Sequence, residues 1–317
     1  METLVAHANN FTQEEIVDIL SHPSRSTALP LYLDALHSCL IGFVRAEVVR
    51  LITDTSGSEL VLLVSDSAIV INPSLSSEPE RTAALEALLI KWRDNDAIAL
   101  LKPKKWRSER YSVWDKEGNV ALQVERSATG LFAIRVYGCH VNGYVTIPNG
   151  DNDDIIKMWV ARRSYTKPTY PGMLDNMVGG GLPHGMSPTQ NVIKECFEEA
   201  GVVITSKNVR PVSVLTSFMK GERGWVPDTE FIYDLKLDPS FVPVCQDGEV
   251  HGFELMSLAQ VRVCLLKGEF MPESGLCVID FMIRHGFIDP SIEPGYMEIA
   301  SGLRRSLPFP GPRYQNN

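Results

Sequence analysis

Apolar residues recur at intervals near 3.6 in two stretches at the start of the chain, 11–22 (FTQEEIVDILSH) and 28–37, and that period predicts helices. IGFVR (41–45) is a short apolar run that predicts a strand, with a helix from Ala46 onward. LVLLVSDSAIVIN (60–72) predicts strands, and SSEPERTAALEALLIKWRDN predicts a helix with Ser76 to Pro79 at its start. NVALQVERS (119–127) alternates as a strand does. Residues 1–135 are thus expected to form a small α+β domain. A second begins near GYVTIP (143–148), with a turn in DNDDII (151–156), a strand in KMWVARRS and a Pro- and Gly-dense loop in KPTYPGMLDNM. VGGG then leads to a helix over about 188–200. PVSVLTSFM, TEFIYDLKL and HGFELMSL alternate as strands, and helices are expected at 257–267 and 274–286. Periodicity alone gives a mixed α/β arrangement for 136–317, closed by a helical extension.

The most specific stretch is GGGLPHGMSPTQNVIKECFEEAGV (179–202). A glycine loop opens it, and the helix that follows carries Glu195, Glu198 and Glu199. Offsets of three and four return to one helix face, so the three carboxylates crowd together and repel unless a cation sits among them. Mg²⁺ or Mn²⁺ suits that role, because hard divalent cations take oxygen ligands and keep waters that phosphates can replace. Gly201 is placed to end the helix at a C-terminal cap. An isolated E-x-x-E-E run would read as a solvated acidic face; the glycines on both sides favour the metal.

This segment resembles the Nudix box, G-x5-E-x7-R-E-U-x-E-E-x-G-U with U a bulky aliphatic residue. Gly180 takes the first position, Glu195 the acid after the arginine, Glu198 and Glu199 the paired acids, and Gly201 and Val202 the end. Met186 stands in place of the first glutamate and Lys194 in place of the arginine, while Cys196 is a small apolar substitute at U. Lys194 keeps the positive charge without the bidentate fork of arginine. The box and its flanks are similar to the subgroup related to the Nudix half of fungal thiamine pyrophosphokinase, which tolerates both changes. Members often carry a glutamate four residues after the aliphatic position, where this chain has Gln190. LFAIRVYGCHVNGYV (131–145), TEFIYDLKL after Asp228, QDGEVHGFELMSL (246–258) and the tail over 279–310 extend the likeness along nearly the whole chain. The resemblance implies an α/β/α Nudix sandwich with a mixed sheet, preceded by a smaller α+β domain.

The 44% hydrophobic and 22% charged composition is that of an ordinary soluble globular protein. No apolar run approaches the roughly 18 residues that a membrane span needs. The first residues, METLVAHANNFTQEEI, lack the basic region of a secretory signal, and Glu14 and Glu15 argue against a transit peptide. Six scattered cysteines, without a C-x-x-C pair, read as reduced thiols of a cytoplasmic protein. A net charge of −9 argues against general nucleic-acid binding, yet leaves room for a local cationic cluster around a phosphorylated small molecule. Oligomeric state is not legible.

Metal-assisted attack of water on a phosphoanhydride needs a cation, a base, and donors for the developing charge. Glu195, Glu198 and Glu199 are expected to hold Mg²⁺ or Mn²⁺, with Glu199 and Glu195 ahead of Glu198. Glu195 or Glu249 is the expected base, with Glu230 a third candidate. Arg162, Arg163 and Lys167, with Gly180 and Gly181, are expected to meet the phosphates. Trp106, Arg107, Glu109 and Tyr111 resemble a motif of the subgroup's N-terminal domain and offer a stacking surface for a flat heterocycle. The resemblance implies hydrolysis of thiamine diphosphate, or of its oxidised or damaged analogues, to the monophosphate and phosphate. Two rivals stand beside this: a pyrophosphatase for another X-diphosphate, and a thiamine diphosphate-binding module with a weakened site.

Overall fold

The computed structural model describes residues 1–150, 152–207 and 209–313. The chain opens with helices α1 (Glu2–Ala8) and α2 (Gln13–Ser21). Thr12 and Glu15 make a reciprocal cap at the start of α2. Strands β1 (Ala28–Tyr32) and β2 (Leu40–Arg45), helix α3 (Ala46–Asp54), strands β3 (Leu62–Val64) and β4 (Ile69–Ile71) and the long helix α4 (Glu78–Asp94) follow. The sheet order is β2-β1-β4-β3. A hairpin of β5 (Arg110–Trp114) and β6 (Val120–Glu125) packs on α4, and one apolar core joins these elements through Trp92, Leu89, Val124 and Phe132.

One expectation fails here. Residues 28–37 are not a helix: 28–32 form strand β1, which bonds to β2 on one side and β4 on the other. A proline third in a helix is tolerated in its first turn, so Pro30 did not exclude one. Pairing on both edges, a tertiary effect, decides for the strand.

The second unit is built on β7 (Val136–Asn149) and β8 (Asn152–Arg163), then β9 (Leu174–Asp175), β10 (Val178–Gly181), helix α5 (Pro188–Ala200), β11 (Pro211–Gly221), β12 (Gly224–Lys236) and β13 (Val250–Ser257). Helices α6 (Leu258–Leu266), α7 (Pro272–Arg284) and α8 (Tyr296–Gly302) close it. Of the turn expected over DNDDII, Asp151 lies outside the described residues, and 152–156 are not a turn but the start of β8, paired with β7. The sheet order is β11-β12-β7-β8-β13, with β10 on β7 and β9 on β8. β12 runs parallel to β7 and the other pairs are antiparallel, so the sheet is mixed.

Side chains alternate across this sheet, as the two-residue period requires. Trp159, Tyr233 and Leu235 join the core under α5, whereas Met158, Val160 and Ile232 join the core under α6 and α7. The result is an α/β/α sandwich. Met1, at the cap of α1, and Val5 and Ala8 within it lie in the second of these cores, so the first helix packs against the second unit. Among the described residues no helix is long and apolar enough to cross a membrane.

Candidate functional site

Local chemistry fixes α5 at both ends. Ser187 accepts from the Gln190 amide while the Gln190 side chain accepts from the Ser187 amide, and Pro188 occupies the first turn. Gly201, at φ 65, ends the helix, its amide donating to the Phe197 carbonyl. Gln190, where relatives of the subgroup often have an acid, thus completes the cap that Ser187 makes at the start of this helix. Val192, Cys196 and Ala200 are fully buried against the sheet, and burial pushes the Cys196 thiol up to about 12, as suits an inert core thiol.

The glycines of β10 are required by close approach rather than by a left-handed backbone. A Cβ on Gly180 would stand 2.5 Å from Cδ of Glu195, one on Gly181 1.8 Å from the Tyr111 hydroxyl, and one on Gly179 2.9 Å from the His140 ring. Three different side chains are thereby brought against one short strand: one from α5, one from the N-terminal hairpin, one from β7.

The three carboxylates divide rather than converge. Lys194 Nζ stands 2.9 Å from Glu195 Oε1 and 2.9 Å from Glu198 Oε2, bridging both. Burial pushes the Glu195 carboxyl above the usual carboxylate range, against the pull of Lys194. Glu199 turns inward, and its Oε2 accepts from the Gly179 amide at 2.8 Å. Burial, aided by the Asp175 charge, lifts Glu199 to about 8. Of the three acids expected to hold Mg²⁺ or Mn²⁺, Glu195 and Glu198 thus face Lys194, while Glu199 faces the Gly179 amide. Among the described residues no three acidic, histidine or cysteine side chains are gathered closely enough to hold a metal. Glu195 and Glu198, on the rim beside β10, offer the hard oxygen donors that Mg²⁺ or Mn²⁺ prefers, and that donor set fits such an ion once Lys194 yields its place.

A cavity of about 330 Å³ opens where the two units meet. Gly179, Gly180, Gly181, Lys194, Glu195 and Glu198 form one side. Arg107, Glu109, Tyr111 and Arg126 face it from the N-terminal unit, with Lys167, Tyr170, Asp247 and Glu249 on loops between them. Arg126 Nη1 is held by Glu109 Oε2 at 2.8 Å and lies 5.5 Å over the Tyr111 ring. Lys167 pairs with Glu249; burial raises the Glu249 carboxyl, but Lys167, Arg126 and Arg107 outweigh it and hold the group below its usual range.

The inner wall carries Asp228, Glu230, Glu273 and His140. Burial works against charge on His140, yet the Glu230 and Asp175 carboxylates outweigh it and push the imidazole up to about 10. Its Nδ1 meets Asn176 Oδ1 at 2.9 Å.

Lys167, Gly180, Gly181, Glu195, Glu198 and Glu249 are all brought to the cavity. Two predicted phosphate ligands are otherwise engaged. Arg162 donates to the Gly172 carbonyl at 2.8 Å and is not part of the lining. Arg163 reaches the wall, but its guanidinium is spent on Asp175 at 2.6 Å and on the carbonyls of Thr169 and Tyr170. The strand pattern gave no sign that Asp175 would meet it across β9. Of the proposed stacking motif, Arg107, Glu109 and Tyr111 line the cavity, whereas Trp106 packs in the N-terminal core under Arg93, 4.8 Å away. Arg126, Arg223 and His140 were missed, because only the tertiary fold brings them here. His184 bonds Ser112 Oγ at 2.9 Å, and His251 packs edge-on against Tyr165; neither lines this cavity.

The NUDIX domain model matches residues 141–274. This part of the chain is a Nudix domain. Residues 9–136 match a domain of unknown function, DUF4743, which precedes it. An uncharacterised protein of Saccharomyces cerevisiae is 40% identical over 65% of this chain and 63% of its own length. Nudix hydrolase 24, chloroplastic, of Arabidopsis thaliana is 40% identical over 74% of this chain and 62% of its own. The chain therefore spans a little over three fifths of these relatives. A Deinococcus radiodurans crystal structure shares 22% identity, with a TM-score of 0.39, over 51% of this chain and 91% of its own. The Nudix domain has Nudix hydrolases among its relatives, and the box helix and glycine strand described above lie within it.

Proposed function

We propose that the chain is a divalent-metal-dependent Nudix hydrolase that cleaves the diphosphate of thiamine diphosphate, or of its oxidised or damaged analogues, to the monophosphate and phosphate. The observation that carries this reading is the pairing across one cavity of Glu195 and Glu198 with the cations Lys167, Arg107 and Arg126. Guanidinium and ammonium groups suit phosphate oxygens, and the tyrosines Tyr111 and Tyr170 suit a flat ring. The ring preference and its link to the thiamine pyrophosphokinase subgroup rest on the sequence resemblance. Six unpaired thiols fit a reducing compartment, which we take to be the cytoplasm; the plant relatives carry the word chloroplastic in their names.

A bound Mg²⁺ or Mn²⁺ would neutralise the diphosphate and make its bound water more acidic. Lys167, Arg107 and Arg126 hold the phosphate oxygens and absorb charge as the bridging bond lengthens. Glu195 takes the proton of the attacking water, because burial raises its carboxyl despite Lys194, whereas Lys167 and the arginines hold Glu249 below its usual range. The new P–O bond forms to water oxygen, the bridging P–O bond breaks, and the bridging oxygen leaves with the monophosphate.

Product formation at about 5 mM Mg²⁺, enough to load weak sites, tests this when followed by chromatography, since ADP-ribose would yield AMP and ribose phosphate and no free phosphate. The panel is thiamine diphosphate, its oxy analogue, ADP-ribose and a nucleoside triphosphate, with Glu195→Gln as control. Turnover of the thiamine compounds alone, lost in the variant, is the expected result. Turnover of ADP-ribose instead moves the reading to another X-diphosphate. One observation favours the binding module, the Lys194 ammonium seated between Glu195 and Glu198; tight binding with no turnover of any compound would decide for it.

A further inference from the structure

We propose that the inner wall of the cavity, built from Asp228, Glu230 and Glu273, is the recognition site for a nitrogen heterocycle that presents N–H donors. This rests on the reading of the cavity as a diphosphate site and assigns its other end.

Asp228 and Glu230 are two residues apart on β12, so their side chains leave the same face of the sheet. Glu273 joins them from the first turn of α7. Each glutamate is tethered by one oxygen only. Glu273 Oε1 receives Arg223 Nη2 at 2.5 Å, and Glu230 Oε1 lies 3.6 Å from His140 Nε2. The second oxygens, Glu230 Oε2 and Glu273 Oε2, are buried and have no hydrogen-bond partner among the described residues. The Glu273 side chain is 7% exposed and that of Glu230 12%. Glycine at 138 makes room for one of them, since a Cβ there would meet Glu230 Oε2 at 2.3 Å.

Buried acceptors without donors are disfavoured, and each calls for an explanation. A ligand edge with N–H groups supplies what both lack. Asp228 adds the complementary function. Burial and the neighbouring Glu230 and Glu273 charges raise its carboxyl well above the usual range, which favours the protonated form, the one able to donate to a ring nitrogen or carbonyl.

Lys167, Arg107 and Arg126, elsewhere in the cavity, attract phosphate, whereas the wall carboxylates already face His140 and Arg223 and offer a ring their remaining acceptor oxygens. A ligand with a heterocycle at one end and a diphosphate at the other meets both. Tyr170, 5.9 Å from the Arg223 guanidinium, gives the ring a face to lie on.

Calorimetric binding to the full chain tests the assignment, with thiamine diphosphate, its oxy analogue and ADP-ribose as heterocyclic probes and inorganic diphosphate as the probe without a ring. Glu230→Met and Glu273→Met remove the acceptors at similar volume, and the Gln variants cover the case that a Met variant fails to fold. At least one heterocyclic probe should bind wild type tenfold or more tighter than inorganic diphosphate does. That advantage should fall at least tenfold in the Met variants and severalfold in the Gln variants, with inorganic diphosphate unchanged. An undiminished advantage in folded variants overturns the inference. So does equal weakening of inorganic diphosphate, or wild type that binds no heterocyclic probe better than the bare anion. The readout needs no turnover, so the expected binding pattern without product formation would refute the hydrolase alone.

Discussion

Glu199 makes the stability of this protein depend on pH in a direction opposite to most carboxylates. Burial and the Asp175 charge lift it from 4.5 to about 8. The folded state therefore favours the protonated form. Its contribution is complete below the ordinary value of 4.5 and is lost as pH climbs to about 8. The difference, 8 minus 4.5, is 3.5 pH units, or about 5 kcal/mol at 1.36 kcal/mol per unit. That is a ceiling, because a buried site responds as a medium of higher effective dielectric once charged. About half, roughly 2–3 kcal/mol, is the expected size. Glu199→Gln mimics the protonated carboxyl and keeps an oxygen for the Gly179 amide. Thermal unfolding of both proteins from pH 5 to 8, in chelator, isolates this group by difference. The two should match near pH 5, and the variant should be the more stable at pH 8, by about 4–6 °C at roughly 2 °C per kcal/mol for a chain of this length. A difference that stays constant across the range, or a variant that is the less stable at pH 8, would refute the reasoning.

Arg163→Met should lower the unfolding free energy by about 3–5 kcal/mol in urea, because Asp175 is left buried without its partner; a fully stable variant that binds inorganic diphosphate tenfold more weakly would make Arg163 a ligand after all. Gly180→Ala places a methyl 2.5 Å from Glu195 Cδ, and turnover should fall on the order of a hundredfold with little change in the melting temperature; near-normal turnover would separate Glu195 from the chemistry. Lys194→Gln removes the ammonium that holds Glu195 and Glu198, so Mn²⁺ affinity, read by water proton relaxation, should rise about two- to tenfold; weaker Mn²⁺ binding would make Lys194 an organiser of the site instead of a competitor.

What could be read from the sequence follows the range of the interactions involved. Helix α5 was placed over 188–200 because its signals are local: Ser187 and Gln190 at one end, Gly201 at the other. Strands β11, β12 and β13 declare their alternation within a few residues. Strand β1 does not, since LPLYL satisfies either period and its fate depends on β2 and β4. The box side of the cavity was legible for the same local reason. The opposite side was legible only in its parts, Arg107, Glu109, Tyr111 and Glu230, and not in how they converge. Arg126 joins it through the docking of the hairpin on β10, and Asp228, Glu230 and Glu273 come together from β12 and α7, more than 40 residues apart along the chain. Arg162 and Arg163 looked like phosphate ligands because a strand-end pair of arginines has that composition. Alternation across β8 and a partner on β9 turned one to a loop carbonyl and the other to a buried carboxylate.

The crowding of Glu195, Glu198 and Glu199 on one turn posed a problem of repulsion, and the sequence suggested a divalent cation as its answer. The structure shows two monovalent charges that also meet it. Lys194 compensates Glu195 and Glu198 from within the same helix, and a proton compensates Glu199. Neither counter-charge excludes a metal. A Mg²⁺ ion that takes Glu195 and Glu198 must displace the ammonium, and one that also draws in Glu199 must displace a proton. In the second case metal affinity rises with pH through the same range in which Glu199 titrates. In the first it does not, and Lys194 alone sets the threshold. Arginine at position 194 would hold both carboxylates with a fork that a cation displaces less readily than a single ammonium. The departure from the family pattern at this position thus changes how the site exchanges its counter-charge, while leaving the acids themselves in place.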